Sequence, residues 1–218
     1  MPRPFQTVCL LIFSSLLAYS QAEGQAAVTF TLDFPASQPE HYSIRVQSDG
    51  STRYQSSGRI SADSDDTDSF DFAFTATPET RQRIFDLAAK AGYFQKEVDS
   101  HHKGVAFTGK KTLTYKDEHR SGGSTYNYSS NPAVQDLTNL FQSLSATLEF
   151  GHRLQYDRQY QKLALDEELK RMEEMAHGNS LVDVASIQPI LDRIIADPSV
   201  INVTRARAQR LLERAGAH

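Results

Sequence analysis

Alternation of apolar and polar residues dominates the first half of the chain and predicts β-strands. The period of two is clear over residues 28–34, 42–46 and 70–74. In the first of these segments the apolar positions are Val28, Phe30, Leu32 and Phe34. Because alternate residues of a strand point to opposite faces, this pattern indicates one buried face and one hydrated face. We therefore expect an antiparallel sheet that is covered on one side only.

Turn signals divide this region into hairpins. Asp49-Gly50 follows the second strand, and Asp-Gly between alternating segments is the strongest short hairpin signal. Two later strands are predicted over residues 105–115, with an interruption at Gly109, and over residues 124–128. The sheet is therefore expected to combine strands that precede the first helix in the sequence with strands that follow it.

Two dipeptides predict helix starts. Thr77-Pro78 and Asn131-Pro132 each place a capping side chain before a proline, which suits the first helical position. After the second start, apolar residues recur at helical spacing as far as residue 177. A straight helix of that length would measure about 65 Å at 1.5 Å per residue. We therefore expect a break or kink near Gly151.

The order of these elements predicts an α+β fold, in which an antiparallel sheet with packed helices precedes a mainly helical C-terminal extension. We assign residues 27–150 to the α+β domain and residues 151–218 to the helical extension. The extension includes a helix over residues 187–196 and a last helix that Asp197-Pro198 would cap.

The N-terminus has the pattern of a cleavable secretion signal. Arg3 precedes an apolar run over residues 8–18, and small and polar residues follow up to Ala22 or Ala26, after either of which cleavage could occur. The run is shorter than the roughly 20 apolar residues that span a bilayer. We therefore expect residues 1–22 to be removed and the mature protein to be periplasmic or secreted.

Composition narrows the class of protein. The chain has 218 residues, a net charge of −4 and a single cysteine. That cysteine, Cys9, lies inside the predicted signal, so the mature chain would have neither disulfides nor thiol chemistry, which favours a bacterial source. The charge is not basic enough to indicate nucleic-acid binding, and no later apolar stretch could form a transmembrane segment.

Several motifs follow one another in a recognisable order between residues 41 and 149. They are the strand Tyr42–Val46 before Asp49-Gly50, the helix start Thr77–Glu79, the helix end Gly92–Phe94 and the second helix start at Asn131-Pro132. This stretch resembles a family of exported bacterial domains of unknown function. The resemblance implies a sheet that begins with the strand bearing Asp-Gly, and it implies no activity, because that family has none established.

Two motifs come close to known sites, and each lacks a residue that the chemistry requires. Residues 104–111 nearly match the phosphate-binding P-loop, but Lys111 stands where a hydroxyl must bind Mg²⁺. Residues 63–68 begin like a calcium loop but have no glycine at the sixth position. We therefore expect a strand edged by lysines and a hydrated acidic loop.

One loop gathers residue types that could bind a metal or transfer protons. Asp99, His101 and His102 lie close together in sequence, and His119 could join them if the late hairpin brings it round. Adjacent histidines on a loop rarely reach one metal together, and the chain has no His-Glu-x-x-His pattern. We interpret them as solvated loop residues and assign no catalytic, cofactor-binding or metal-binding residue.

These observations favour a non-catalytic exported protein that binds a protein or another envelope component. Its surface would be the exposed face of the sheet or the charged helix over residues 152–177. One alternative is a hydrolase-type enzyme whose Asp and His residues are assembled by the fold, and a pocket that holds two or more of them would favour it. Another is a structural protein that oligomerises through its helical tail.

Overall fold

The computed structural model describes residues 25–35, 37–59 and 66–216, and it has the predicted α+β fold. The predicted secretion signal, residues 1–22, lies outside the described residues, as do residues 63–65 of the acidic loop. The strands are β1 (Ala27–Asp33), β2 (His41–Gln47), β3 (Ser51–Arg59), β4 (Thr67–Thr75), β5 (Lys110–Lys116) and β6 (Ser121–Tyr126). The α-helices are α1 (Pro78–Lys90), α2 (Pro132–Tyr160), α3 (Ala164–His177), α4 (Gln188–Ile195) and α5 (Asn202–Ala215).

All six strands form one antiparallel sheet in the order β4-β3-β2-β1-β5-β6. The central strand β1 pairs with β2 and with β5, which places Phe30 between Ile44 and Leu113 on the inner face. Helix α2 crosses this face, and the ring of Phe141 stacks on that of Phe30 with 5.2 Å between centroids. The prediction of an antiparallel sheet with one buried face is confirmed.

The outer face of the sheet is polar throughout its central strands. Thr29 of β1 lies on this outer face. The residues of β2, β3, β5 and β6 that lie on the same face include no large apolar side chain. Hydroxyl groups dominate this face, and Thr112 and Thr125 hydrogen-bond to each other at 3.0 Å between their Oγ1 atoms. The hydroxyl-bearing residues of this face include Thr29, Thr31, Ser43, Thr112, Thr114 and Thr125.

Both predicted helix starts are confirmed by their caps. The Thr77 side chain accepts a hydrogen bond from the Thr80 amide, and Pro78 occupies the start of α1. The Asn131 side chain accepts from the Ala133 amide at 3.0 Å at the start of α2. Each cap satisfies an amide that the first turn of a helix leaves without a partner.

Three boundaries differ from the sequence expectations. Residues 105–109 are not a strand, because the chain turns at Gly109, whose φ of +101° suits glycine alone, and only then enters β5. Helix α2 continues through Gly151, which packs so closely on Ile187 that a Cβ would lie 2.8 Å from its Cγ2 atom. The long helix ends at Tyr160 instead.

The C-terminal helices pack on α2 and on each other. Asp197 does not cap the last helix: its carboxylate accepts hydrogen bonds from Ser199 in the preceding turn, and α5 begins at Asn202. The proposed boundary after residue 150 falls inside α2, and the division into two domains stays a prediction. No helix among the described residues is long and apolar enough to cross a membrane.

Candidate binding site at the open edge of the sheet

Strand β4 lies at one end of the sheet and pairs only with β3. Among the described residues, no segment pairs with its other side, which we call the open edge. The strand has nine residues, long for an edge strand, and its outward amide and carbonyl groups have no backbone partner within the described part of the chain. Such an edge is a template on which a further strand can form.

Three aromatic side chains line the inner side of the open edge. The rings of Phe70, Phe72 and Phe74 follow one another along β4, with 5.6 Å between the first two centroids and 5.7 Å between the last two. All three are only partly buried, because β4 has a neighbour on one side alone. We call this row the phenylalanine ladder. It leaves apolar surface next to unpaired backbone.

A buried carboxylate fixes the long helix beside this ladder. The Oε1 atom of Glu149 on α2 accepts hydrogen bonds from the hydroxyl of Tyr54 at 2.6 Å and from that of Ser56 at 2.7 Å. Both donors lie on the inner side of β3, the strand next to the open edge. The Tyr54 hydroxyl also lies 3.0 Å from Ser145 Oγ. These bonds hold α2 over β3 in one position.

His152, one turn further along α2, links this cluster to the open edge. Its ring stacks on Phe70 with 4.3 Å between centroids. Its Nδ1 atom lies 3.7 Å from the Glu149 carboxylate, and its Nε2 atom lies 3.4 Å from the carboxylate of Asp68 on β4. The imidazole therefore covers Phe70, the first residue of the phenylalanine ladder, and lies between two acidic groups.

The electrostatics of the cluster favour a charged glutamate and a neutral tyrosine. Burial acts to raise the pKa of Glu149, but the nearby His152 imidazole and hydrogen bonds from Tyr54 and Ser56 outweigh it and hold that pKa below its usual value. Burial, together with the neighbouring Glu149 carboxylate, raises the pKa of Tyr54. Both effects keep the proton on the tyrosine oxygen. The cluster is suited to positioning α2 and the ladder.

The opposite end of the sheet is covered by the chain itself. The segment 92–100 packs against β6, in part on the inner side of the strand, and we call this end of the sheet the covered edge. A Cβ at Gly122 would lie 2.2 Å from the Tyr93 carbonyl oxygen, so the two backbones are in direct contact. Further along, the Val98 amide donates to Ser124 Oγ at 3.0 Å, and the Asn127 amide donates to the Asp99 carboxylate at 3.0 Å.

The residues singled out in the sequence lie on the covered side of the molecule and are not gathered into one site. Asp99 lines a cleft of about 520 Å³, whereas His101, His102 and His119 do not. Hydrogen bonds from the His101 and Asn127 amides hold the pKa of Asp99 below its usual value. Among the described residues, no group of three His, Cys, Asp or Glu side chains is placed to hold a metal ion.

The charged helix predicted as an alternative surface uses its charges internally. Asp166 and Glu173 of α3 both pair with Arg207 of α5, at 2.9 and 2.5 Å. Glu168 pairs with Arg153 of α2. These ion pairs bind α3 to its neighbours, so its most closely packed acidic groups are not free for a partner.

The sequence carried a signal for the Glu149 cluster that pattern analysis did not use. Glu149 and His152 fall on or beside the apolar stripe of α2, where a charged side chain needs a specific partner. Their partners lie some ninety residues earlier in the chain, so only the fold brings them together.

No protein-family model and no curated protein matches this chain. The resemblance of residues 41–149 to a family of exported bacterial domains therefore stays a prediction. The fold and the site define an α+β protein whose sheet ends at β4 in an open edge with partly exposed phenylalanines and at β6 in an edge that residues 92–100 pack against.

Proposed function

We propose that this protein is an exported, non-catalytic binding protein of the cell envelope or its surroundings, and that the open edge is its binding site. The observation that carries the proposal is the nine-residue edge strand β4 with a half-buried phenylalanine ladder beside it. Backbone groups and apolar surface are thus offered together, which is what an extended segment of another chain requires.

The mode of binding is addition of a strand. A segment laid along β4 would complete its hydrogen bonds and place every second side chain next to the phenylalanine ladder. Backbone pairing would supply affinity, and the ladder would select apolar side chains at alternate positions. Because Glu149 and His152 fix α2 beside Phe70, the ladder is in place before the partner arrives, which lowers the cost of ordering on binding.

The charge of the edge indicates which partner fits. No lysine or arginine lies between residues 60 and 80, whereas Asp68 and Asp71 lie on β4, where Asp71 is paired with Arg53 of β3. A second copy of β4 would bring like charges together, which disfavours self-pairing. The favoured partner is an extended peptide in which apolar residues alternate with basic ones.

Selection from a library of random displayed peptides tests this proposal. We expect enriched peptides to alternate apolar residues with lysine or arginine and to shift the amide resonances of residues 67–75. The Ser69→Lys variant places a positive charge on the exposed side of β4. This charge repels the basic residues of such a peptide and should weaken its binding by about fivefold or more. Thr114→Lys is the matched control, because it adds the same charge to the same face but on β5, away from the open edge.

Two results would contradict the proposal. One is enrichment of peptides whose resonance shifts fall outside β4 and α2. The other is turnover of a generic hydrolase substrate panel that depends on Asp99 or the loop histidines, since this would favour an enzyme with its site on the covered side.

A further inference from the structure

The covered edge carries apolar side chains that the core does not use. Residues 101–110, which we call the tip loop, connect the segment 92–100 with β5. In this loop Val105 is 41% exposed and Phe107 is 61% exposed. The ring of Phe107 makes an edge-on contact with Phe34, at 5.9 Å between centroids.

The tip loop is held in place by polar contacts at its base. The Asn127 side chain donates to the Ala106 carbonyl at 3.1 Å and accepts from the Thr108 amide at 3.0 Å. Lys111, which is buried, donates to Thr108 Oγ1 at 2.9 Å and to the Asn127 carbonyl at 3.0 Å. The loop therefore presents Val105 and Phe107 to water from a fixed base.

Cations flank this apolar tip on both sides. Residues 101–111 include two histidines and three lysines but no carboxylate. Lys103 and Lys110 are exposed on either side of the tip. The neighbouring acidic groups already have partners: Glu97 lies 2.8 Å from the His101 ring, and Asp99 accepts from backbone amides. Asp33, which lies opposite Lys110 across β1 and β5, is 2.6 Å from the His41 ring. The tip is locally cationic in a protein whose net charge is negative.

We propose that the tip loop docks the protein on the surface of an anionic lipid bilayer. Val105 and Phe107 enter the headgroup region, and Lys103 and Lys110 contact lipid phosphates around them. The arrangement matches the layers of such a surface, in which anionic groups lie above apolar chains. Two apolar side chains and two lysines make a weak anchor, so binding is reversible and falls as salt screens the lysines. The inference goes beyond the proposed function and uses the opposite edge of the sheet.

The chain has no tryptophan, so a single introduced tryptophan reports on its own position. In the Phe107→Trp protein, we expect the emission maximum to shift to shorter wavelength when phosphatidylglycerol vesicles are added, but not with phosphatidylcholine vesicles. The matched control is Leu163→Trp, since Leu163 is 92% exposed and lies between α2 and α3. Its emission should not change with either vesicle.

Vesicle sedimentation gives the size of each contribution. Phe107→Ser should lower the partition coefficient onto phosphatidylglycerol vesicles about tenfold, and Lys103→Glu should lower it at least about fivefold. Leu163→Ser and Lys170→Glu, which change exposed positions elsewhere on the surface, should have no effect. All forms carry the same N-terminus, so any contribution from residues 1–22 cancels in the comparison.

Three outcomes would overturn the proposal: equal partition of the loop variants and the wild type, equal partition onto phosphatidylcholine, or no binding to either vesicle. If the protein binds neither vesicle, the tip loop binds another protein instead of lipid. Ser69→Lys, which disrupts only the open edge, should leave vesicle binding unchanged. Failure of strand addition at β4 and failure of lipid docking are therefore measured separately.

Discussion

The two edges of this sheet end in different ways, although β4 and β6 each pair with a single antiparallel neighbour. On β6, backbone from residues 92–100 packs against the inner side of the strand, and just past its end the Asn127 amide donates to Asp99 and the Ser100 amide donates to the Tyr128 carbonyl. On β4, no described segment takes that place, and the phenylalanine ladder stays partly exposed. The two ends of the sheet therefore differ in how far the chain covers them, and the partly exposed ladder beside β4 supports the proposed binding of a partner there.

The largest difference between the edges should be in how much a phenylalanine contributes to stability. Phe94, in the segment that covers β6, is 1% exposed, whereas Phe72 on β4 is partly exposed. Phe94→Ala should cost about 3–5 kcal/mol in the free energy of unfolding. Phe72→Ala should cost only about 1–2 kcal/mol, because less apolar area returns to water. Urea unfolding measures both, and equal costs would show that β4 is covered.

The backbone contact at the covered edge gives the next effect. A side chain at position 122 cannot fit against the Tyr93 carbonyl, so Gly122→Val should cost about 2–3 kcal/mol. Gly123→Ala is the control, because its Cβ would face Thr114 Cγ2 at 3.2 Å and should cost less than about 1 kcal/mol. If the two substitutions are equally mild, the segment 92–100 does not close this edge.

The Glu149 cluster tests how the open edge is kept in shape. In Glu149→Gln the hydrogen bonds from Tyr54 and Ser56 go to a neutral acceptor, so the free energy of unfolding at pH 7 should fall by about 1 kcal/mol. Glu167→Gln, at an exposed position on α3, should leave stability unchanged. Comparable losses in the two variants would show that the buried carboxylate does not fix α2.

The same pair of proteins predicts a dependence on pH. The folded pKa of Glu149 lies below its unfolded value, so its charge stabilises the fold above the usual glutamate pKa of about 4.3. This contribution is lost as the pH falls through the folded pKa. The stability difference between wild type and Glu149→Gln should therefore shrink as the pH falls below about 4.3. A difference that grows below that pH would contradict a lowered pKa of Glu149.

Much of the fold follows from local pattern. The period-two segments gave β1, β2 and β4, and the Thr77-Pro78 and Asn131-Pro132 pairs fixed two helix starts, because caps and alternation act over a few residues. The prediction of a break near Gly151 was wrong, because glycine at this position allows close packing against Ile187. Contact between segments that are distant in sequence leaves no local signal.

The binding site depends on strand order, which local pattern does not contain. The later strands β5 and β6 join the sheet next to β1, through pairing over almost eighty residues or more of sequence, and not next to β4. Strand β4 is therefore left at the end of the sheet. Glu149 and His152 reach the ladder through contacts of similar range. The loop histidines were easier to notice in sequence because they are adjacent, yet the fold leaves them exposed on the covered side.

Hydrogen exchange of the β4 amides tests the central claim most directly. In the free protein, alternate amides of residues 67–75 should exchange rapidly, while the Asn127 amide just beyond β6, which donates to Asp99, stays protected. Addition of a selected basic and apolar peptide should slow the exposed β4 amides and leave β6 unchanged. Uniform protection along β4 in the free protein, or no gain with the peptide, would contradict an open edge that binds a strand.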